Sequence, residues 1–299
     1  MNILITGATG FIGKTLCHTL LAQNHSLITL TRNPDKATHL LGDSILPIVH
    51  LDGLDRSQKI DAVINLAGEP IADKRWSKEQ KKRIEQSRID LTAELIAFLR
   101  NLQQPPEVLI SGSAIGYYGD CGDRELSEHS EAHDEFSHRL CAAWESQALR
   151  AKAYDIRVAI VRTGLVVGKN GGFLKKMLPS FKMGLGAQLG SGEQWMSWIH
   201  IEDYINIILF LLNNKTQNGI YNATAPQPVT NQVFSDTLAS VLKRPRLLTV
   251  PAPVLKFLLG EMSHLLLTGQ RVLPKRLQDQ GFTFQYSELR RALEEVCRN

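Results

Sequence analysis

The chain has 299 residues, which at about 100–200 residues per domain is enough for one large or two modest domains. Hydrophobic residues make up 43% and charged residues 21%, ordinary globular usage that excludes a disordered, collagen-like or fibrous chain. The 34 basic and 30 acidic residues leave a net charge of +4, spread along the chain without an arginine-rich or aromatic-interleaved segment, so nucleic acid is not an expected partner.

Through the first half, a short β-branched run followed by a longer stretch of helical periodicity recurs, which predicts parallel βαβ units. Ile3–Thr6 is the first strand and Phe11–Ala22 the first helix; Leu27–Thr31 is the next strand. Ala62–Leu66 precedes a long, charged amphipathic helix around Lys78–Leu102, which Pro105 and Pro106 stop. Glu107–Ile110 starts another strand, and a helix over Ser137–Lys152 leads into Ile156–Val161. These strands are nearly all apolar, as in a sheet covered on both faces. After about Gly164 glycines and prolines become frequent and the alternation is lost. The apolar run Ile205–Leu212 is far shorter than the roughly 20 residues that cross a bilayer and predicts a buried helix; no membrane partner is expected. Gly219–Asn222 is one more strand, and the end is mostly helical, interrupted at Pro251, Pro253 and Pro274.

Gly7-Ala-Thr-Gly10-Phe-Ile-Gly13 directly follows a predicted strand and opens a predicted helix. In that context Gly7 permits the tight turn, Gly10 lets a pyrophosphate approach the backbone, and Gly13 allows close helix–strand packing. The helix N-terminus offers unpaired N–H groups and partial positive charge to the anion. The expected fold is therefore α/β, a doubly wound parallel Rossmann sheet. Residues 1–164 form the nucleotide-binding domain, with a strand near 219–223 returning to it. Residues 165–299 form a smaller, mostly helical substrate region with a helical tail at about 247–297.

The end of the second strand selects the dinucleotide. An acidic side chain there accepts from a ribose 2′-hydroxyl, whereas an arginine accommodates a 2′-phosphate. The segment here is Thr29-Leu-Thr31-Arg32-Asn33-Pro34, so NADP(H) is the expected cofactor; the alternative for Arg32 is a solvated surface charge. Asp35 lies beyond the strand end and is expected to cap a helix. Cys17, Cys121, Cys141 and Cys297 form no C-x-x-C pair, and Met1–Gly7 has no basic export region; reduced thiols in a cytoplasmic protein are expected.

With the glycine turn joined to Asn65-Leu-Ala-Gly68 and Ser111-Gly-Ser-Ala-Ile-Gly-Tyr-Tyr-Gly119, the chain resembles the extended short-chain dehydrogenase/reductases, the nucleoside-diphosphate-sugar epimerase and dehydratase relatives. Trp198-Ile-His-Ile-Glu-Asp203 is similar to their later strand-to-helix signature. Asn65–Pro70, Arg75-Trp76, Trp144-Glu145, Leu267–Pro274 and Gly281-Phe282 further resemble an epimerase-family, cell-division-inhibitor-like subgroup. The resemblance implies that Gly7, Gly10, Phe11 and Ile12 touch the pyrophosphate, and that Thr31 and Arg32 hold the adenosine ribose phosphate. It implies that Leu66, Ala67 and Gly68 line the cofactor, with Arg88 and Arg162 beside the same crevice as cations for the pyrophosphate. The alternatives are surface ion pairing for Arg88 and strand-end packing for Arg162.

Redox members of that superfamily resemble one another in a Ser/Thr with a Tyr-x-x-x-Lys pair, in which the lysine lowers the tyrosine pKa. Alignment through Ala143-Trp-Glu145 places Ser137 and Cys141 at those two positions, and neither can do that work. Ser113 survives at its strand end, and Tyr117 and Tyr118 follow as replacement acid/base candidates, the alternative being packed aromatics. His129, His133 and His138 near Cys121 and Cys141 match no zinc template, so no metal is expected. Trp195, Trp198 and His200 suit core packing or a pocket rim, and Gln270 and Arg271 suit the cleft or a helix surface. Two functions stay open. One is an NADP(H)-dependent oxidoreductase or epimerase acting on a small hydroxyl- or carbonyl-bearing molecule, nucleotide-sugar-like ones included. The other is a non-catalytic NADP(H)-sensing binding protein.

Overall fold

The computed structural model describes residues 1–169 and 171–298. Seven strands, β1 (Asn2–Thr6), β2 (Ser26–Leu30), β3 (Ile45–Ile48), β4 (Ala62–Asn65), β5 (Val108–Ala114), β6 (Arg157–Thr163) and β7 (Gly219–Ala223), form one sheet in the order β7-β6-β5-β4-β1-β2-β3. Every pairing in it is parallel. The order reverses direction between β1 and β4, and such a switch point opens a crevice at the carboxyl ends of the strands. β3 escapes the sequence reading because Pro47 interrupts it; Pro47 is tolerated there because β3 is the sheet edge.

Alternation along the strands builds two apolar layers. Ile3 and Ile5 face α1 (Phe11–Ala22), α2 (Pro34–Leu41) and the long helix Ile201–Asn213 through Leu16, Leu20, Ala37, Ile207, Ile208 and Leu211. Leu4, Val63 and Leu109 face the opposite layer, where Leu95, Ile96, Leu99 and Ala148 pack. The run Ile205–Leu212 is a buried helix face, and no helix among the described residues is long and apolar enough to cross a membrane. Beyond β6, short strands outnumber those the sequence suggests. Residues 165–168 pair with 198–200 and 171–172, 195–196 with 229–230, 187–189 with 248–250, and 271–272 reaches back to 125–126.

Two local expectations are corrected. The single helix expected around Lys78–Leu102 is split into α3 (Lys78–Gln86) and α4 (Ile89–Arg100). The Ser87 hydroxyl donates to the Ile84 carbonyl at 2.9 Å and accepts from the Glu69 amide at 2.8 Å, so a side chain competes with the helical ladder at the break. The cap of α2 is Asn33, which accepts from the Lys36 amide at 2.9 Å, and Asp35 stands in the first turn. Pro34 fixes the first helical position and so moves the cap one residue upstream of it.

Candidate functional site

The crevice begins where β1 turns into α1. Gly7 has φ +74°, and a Cβ on it would lie 2.8 Å from the Ala67 amide nitrogen; a Cβ on Gly13 would overlap the Gly7 carbonyl oxygen. The turn is thus pressed against the Leu66–Ala67 backbone at the end of β4. Thr6 Oγ1 ties the two together, donating to Asn65 Oδ1 at 2.7 Å and accepting from the Ala67 amide at 3.0 Å. Gly10 caps α1 without a side-chain acceptor, so the N–H groups of Phe11, Ile12 and Gly13 point out of the helix start unpartnered by a cap. No acidic residue stands in that first turn, which leaves its partial positive charge available to an anion. The Phe11 ring packs over Gly168, Gly171 and Gly172, where any Cβ would collide with it, which accounts for glycines that had no role in the sequence. At the end of β2, Thr31 shares its hydroxyl with the Asn33 backbone at 3.3 Å, while Arg32 is exposed and forms no ion pair among the described residues.

Arg88, placed by the α3–α4 break, lies across Gly68. A Cβ there would sit 2.7 Å from the guanidinium carbon. Its Nη1 donates to the Glu69 and Ile84 carbonyls at 2.9 and 3.3 Å, and the guanidinium stands 5.3 Å from the Trp144 ring centre. Leu66, Ala67, Gly68 and Arg88 are therefore brought together with the glycine turn.

Arg162 is not in that group, which corrects the expected pyrophosphate contact. It is 1% exposed and clamped by Glu145 of helix α5 (Phe136–Leu149), Nε to Oε1 and Nη2 to Oε2, both at 2.9 Å. Burial works against its charge, but the hydrogen bonds and the charge of Glu145 outweigh it and raise the Arg162 pKa. Its Nη1 donates to the Tyr118 hydroxyl at 3.0 Å, which donates onward to Asn222 Oδ1 at 2.7 Å. Ser113 Oγ donates to Glu145 Oε1 at 2.6 Å. The Tyr117 ring lies under the guanidinium at 3.3 Å. The three proposed catalytic residues, Ser113, Tyr117 and Tyr118, thus surround one buried ion pair. Glu145 and Asn222 were missed as members; the available signal for Glu145 was a lone acid directly after the apolar stretch Ala142–Trp144.

The model of the NAD dependent epimerase/dehydratase family matches residues 3–224. The chain belongs to that family. A second model, a domain of unknown function (DUF1731), matches residues 250–296. The chain is 41% identical over 307 residues to the epimerase family protein SDR39U1 homolog, chloroplastic, of Arabidopsis thaliana, covering 99% of this chain and 86% of that one. It is 36% identical over 304 residues to the epimerase family protein YfhF of Bacillus subtilis, covering 99% and 98%. The crystal structure of human epimerase family protein SDR39U1 (isoform 2) with NADPH superposes with a TM-score of 0.91 at 32% identity over all of both chains.

Within the family frame, the position aligned with the lysine of redox members holds Cys141, a buried thiol whose pKa burial, seconded by the charge of Glu145, pushes up to about 11. The cation that acts on it is Arg88, which lowers its pKa against the larger effect of burial. Tyr118 is buried and its pKa is pushed up to about 12, burial outweighing the opposing Arg162; its oxygen accepts from Arg162 and its proton is donated to Asn222. The Tyr117 hydroxyl has no hydrogen-bond partner among the described residues. Trp198 is buried with its indole N–H on the Gln227 carbonyl, and His200 is buried against Glu295 at 3.0 Å, both in packing roles. Trp195 donates to Asp123 and carries the Arg271 guanidinium, which also pairs with Glu125. The Gln270 carbonyl accepts from Ser197. His138 is turned to the Tyr117 carbonyl at 2.6 Å.

Proposed function

We propose that the chain is an NADP(H)-dependent oxidoreductase or epimerase acting on a small hydroxyl- or carbonyl-bearing molecule, nucleotide-sugar-like ones included. The observation that carries the reading is the buried Glu145–Arg162 pair beneath Ser113 at the carboxyl end of the sheet. A buried ion pair is weak evidence for stability, because desolvation offsets its attraction, and perturbed charges at a crevice mark functional sites. The cofactor fits the residues present. The Gly7–Gly13 cradle leaves room only for backbone, and the start of α1 is free of acid. Arg32 is exposed and forms no ion pair among the described residues, at the strand end where a 2′-phosphate would lie. The NADPH in the human relative supports the same assignment. When bound, NADP(H) supplies a hydride donor or acceptor.

The polarity of the site follows from Glu145. Held bidentately by Arg162, its carboxylate only accepts, so the Ser113 hydroxyl is committed as a donor to it. Ser113 then offers lone pairs to a ligand and accepts from a substrate hydroxyl. Tyr117 is the residue whose hydroxyl is free to move a proton. Fluorescence titration tests the cofactor: NADPH binds more tightly than NADH, and Arg32→Ala removes the difference. A turnover screen across carbonyls, alcohols and nucleotide sugars tests catalysis: Tyr117→Phe and Ser113→Ala abolish any activity found.

The second reading, an NADP(H)-sensing binding protein, is favoured by Cys141, a neutral group where redox members place a cation. NADPH binding with silence across the whole panel selects it.

A further inference from the structure

Eleven large hydrophobic side chains are exposed among the described residues, and seven of them come from residues 183–185 and 247–258. The fold brings these segments together. Strand 187–189 pairs in parallel with 248–250, Ala187 opposite Leu248, and a Cβ on Gly184 would lie 3.8 Å from the Pro245 ring. Met183–Leu185 therefore runs beside Pro245–Leu248. Directly after the strand, the helix Ala252–Leu259 buries only Leu255. Its residues Val254, Phe257 and Leu258, spaced i, i+3 and i+4, share a face that is turned to solvent. Leu247 and Phe257 are 86% and 82% exposed, so these side chains project from the surface.

The charge of the same segments is of one sign. Residues 171–192 and 243–260 hold seven of the 34 basic residues and none of the 30 acidic ones, so the rest of the chain is net negative. Lys176 is paired with Asp73 and Arg246 with Asp236. Lys175, Lys182, Lys243, Arg244 and Lys256 are exposed and form no ion pair among the described residues. A second copy on this face would set the same cations against one another across a two-fold axis. A bilayer surface matches both properties: projecting aromatic and aliphatic groups sink to the headgroup boundary, and lysine and arginine meet anionic lipid.

We propose that residues 182–187 and 243–258 form a docking face for an anionic phospholipid bilayer. Leu247, Phe257 and Leu258 enter the headgroup boundary, and Lys243, Arg244 and Lys256 face lipid phosphate. The expectation of no membrane partner rests on the lack of a spanning run; this face lies on a bilayer without crossing it, and it is independent of the cofactor reading.

Sedimentation of the full chain with vesicles tests the proposal, using phosphatidylcholine alone and an equal mixture of phosphatidylcholine and phosphatidylglycerol. Wild type binds the mixture, binds phosphatidylcholine about tenfold or more weaker, and loses affinity for the mixture as salt rises. Each cation is worth about fivefold at such a surface, so Lys243→Gln with Arg244→Gln weakens binding by about twentyfold. Phe257→Ser with Leu258→Ser weakens it by about tenfold at every salt concentration. Leu46→Ser, a similarly exposed leucine on the edge strand β3, leaves it unchanged. Melting curves confirm folding, and Leu247→Ser carries the apolar arm should the serine pair fail to fold. A wild type that ignores the mixed vesicles overturns the docking face and leaves the surface to a protein partner. A dimer that dissolves in the serine pair, with vesicles ignored, overturns it in favour of a second copy. Serine variants that bind like wild type reduce the effect to unspecific charge attraction and overturn it too.

Discussion

At the carboxyl end of β1 the site is made of backbone: Gly7, Gly10 and Gly13 do their work by having no side chain, and α1 contributes its first N–H groups. A short distance along the sheet, at the ends of β5 and β6, the site is made of side chains, with Ser113, Glu145, Arg162, Tyr118 and Asn222 linked by hydrogen bonds of 2.6–3.0 Å. The backbone part fails by overlap and the side-chain part by uncompensated charge. They are therefore sensitive to different substitutions.

The largest effect is expected at Gly13→Val. Its Cβ would overlap the Gly7 carbonyl and there is backbone on both sides, so urea unfolding should show a loss of about 3 kcal/mol or more. A variant within about 1 kcal/mol of wild type would show that the turn yields to a side chain at this position. Glu145→Ala strands the Arg162 charge in the interior and should cost about 3–5 kcal/mol, whereas Glu145→Met combined with Arg162→Met should recover most of it. The exposed pair Arg139–Asp134 is the control: Arg139→Ala should cost under about 1 kcal/mol. Equal costs for the two pairs would remove the distinction between them. Arg32→Ala should weaken NADPH by about tenfold, close to 1.4 kcal/mol, and leave NADH unchanged; a parallel loss of both nucleotides counts against a 2′-phosphate contact.

A further effect is read in pH. Burial pushes Cys17 and Tyr118 up to about 12 and Cys141 up to about 11, so the folded state keeps these protons at pH values where the unfolded chain has released them. Stability should be flat near neutrality and fall as pH rises above about 9, by on the order of 1 kcal/mol for each thiol by about pH 10. Urea midpoints across that range measure it, and Cys17→Ala should flatten the slope. A slope unchanged in that variant would assign the loss to other groups.

The backbone part was legible because glycines at fixed offsets between a strand and a helix have few other uses. The sheet was legible because its apolar runs have no polar face; only β3 was hidden, by Pro47. Of the side-chain part, Ser113, Tyr118 and Arg162 were named from sequence but their linkage was not, since Glu145 and Arg162 lie on different elements and Asn222 on a strand that returns late, so that only three-dimensional proximity joins them. The resemblance put Arg88 beside the crevice of Leu66–Gly68, but on an unbroken helix; the break at Ser87, whose hydroxyl competes with the helical ladder, was not legible.

β7 has a consequence for how the protein is made. β6 ends at Thr163, but its outer neighbour does not begin until Gly219, and Asn222 of that strand holds the Leu273 carbonyl as well as Tyr118. During synthesis the nascent chain carries a bare sheet edge until Ala223 has left the ribosome, and the polar cluster waits for the tail. Fragments cut after Gly164 would keep the nucleotide cradle yet expose a strand ready to pair with other chains, and aggregation is their expected fate.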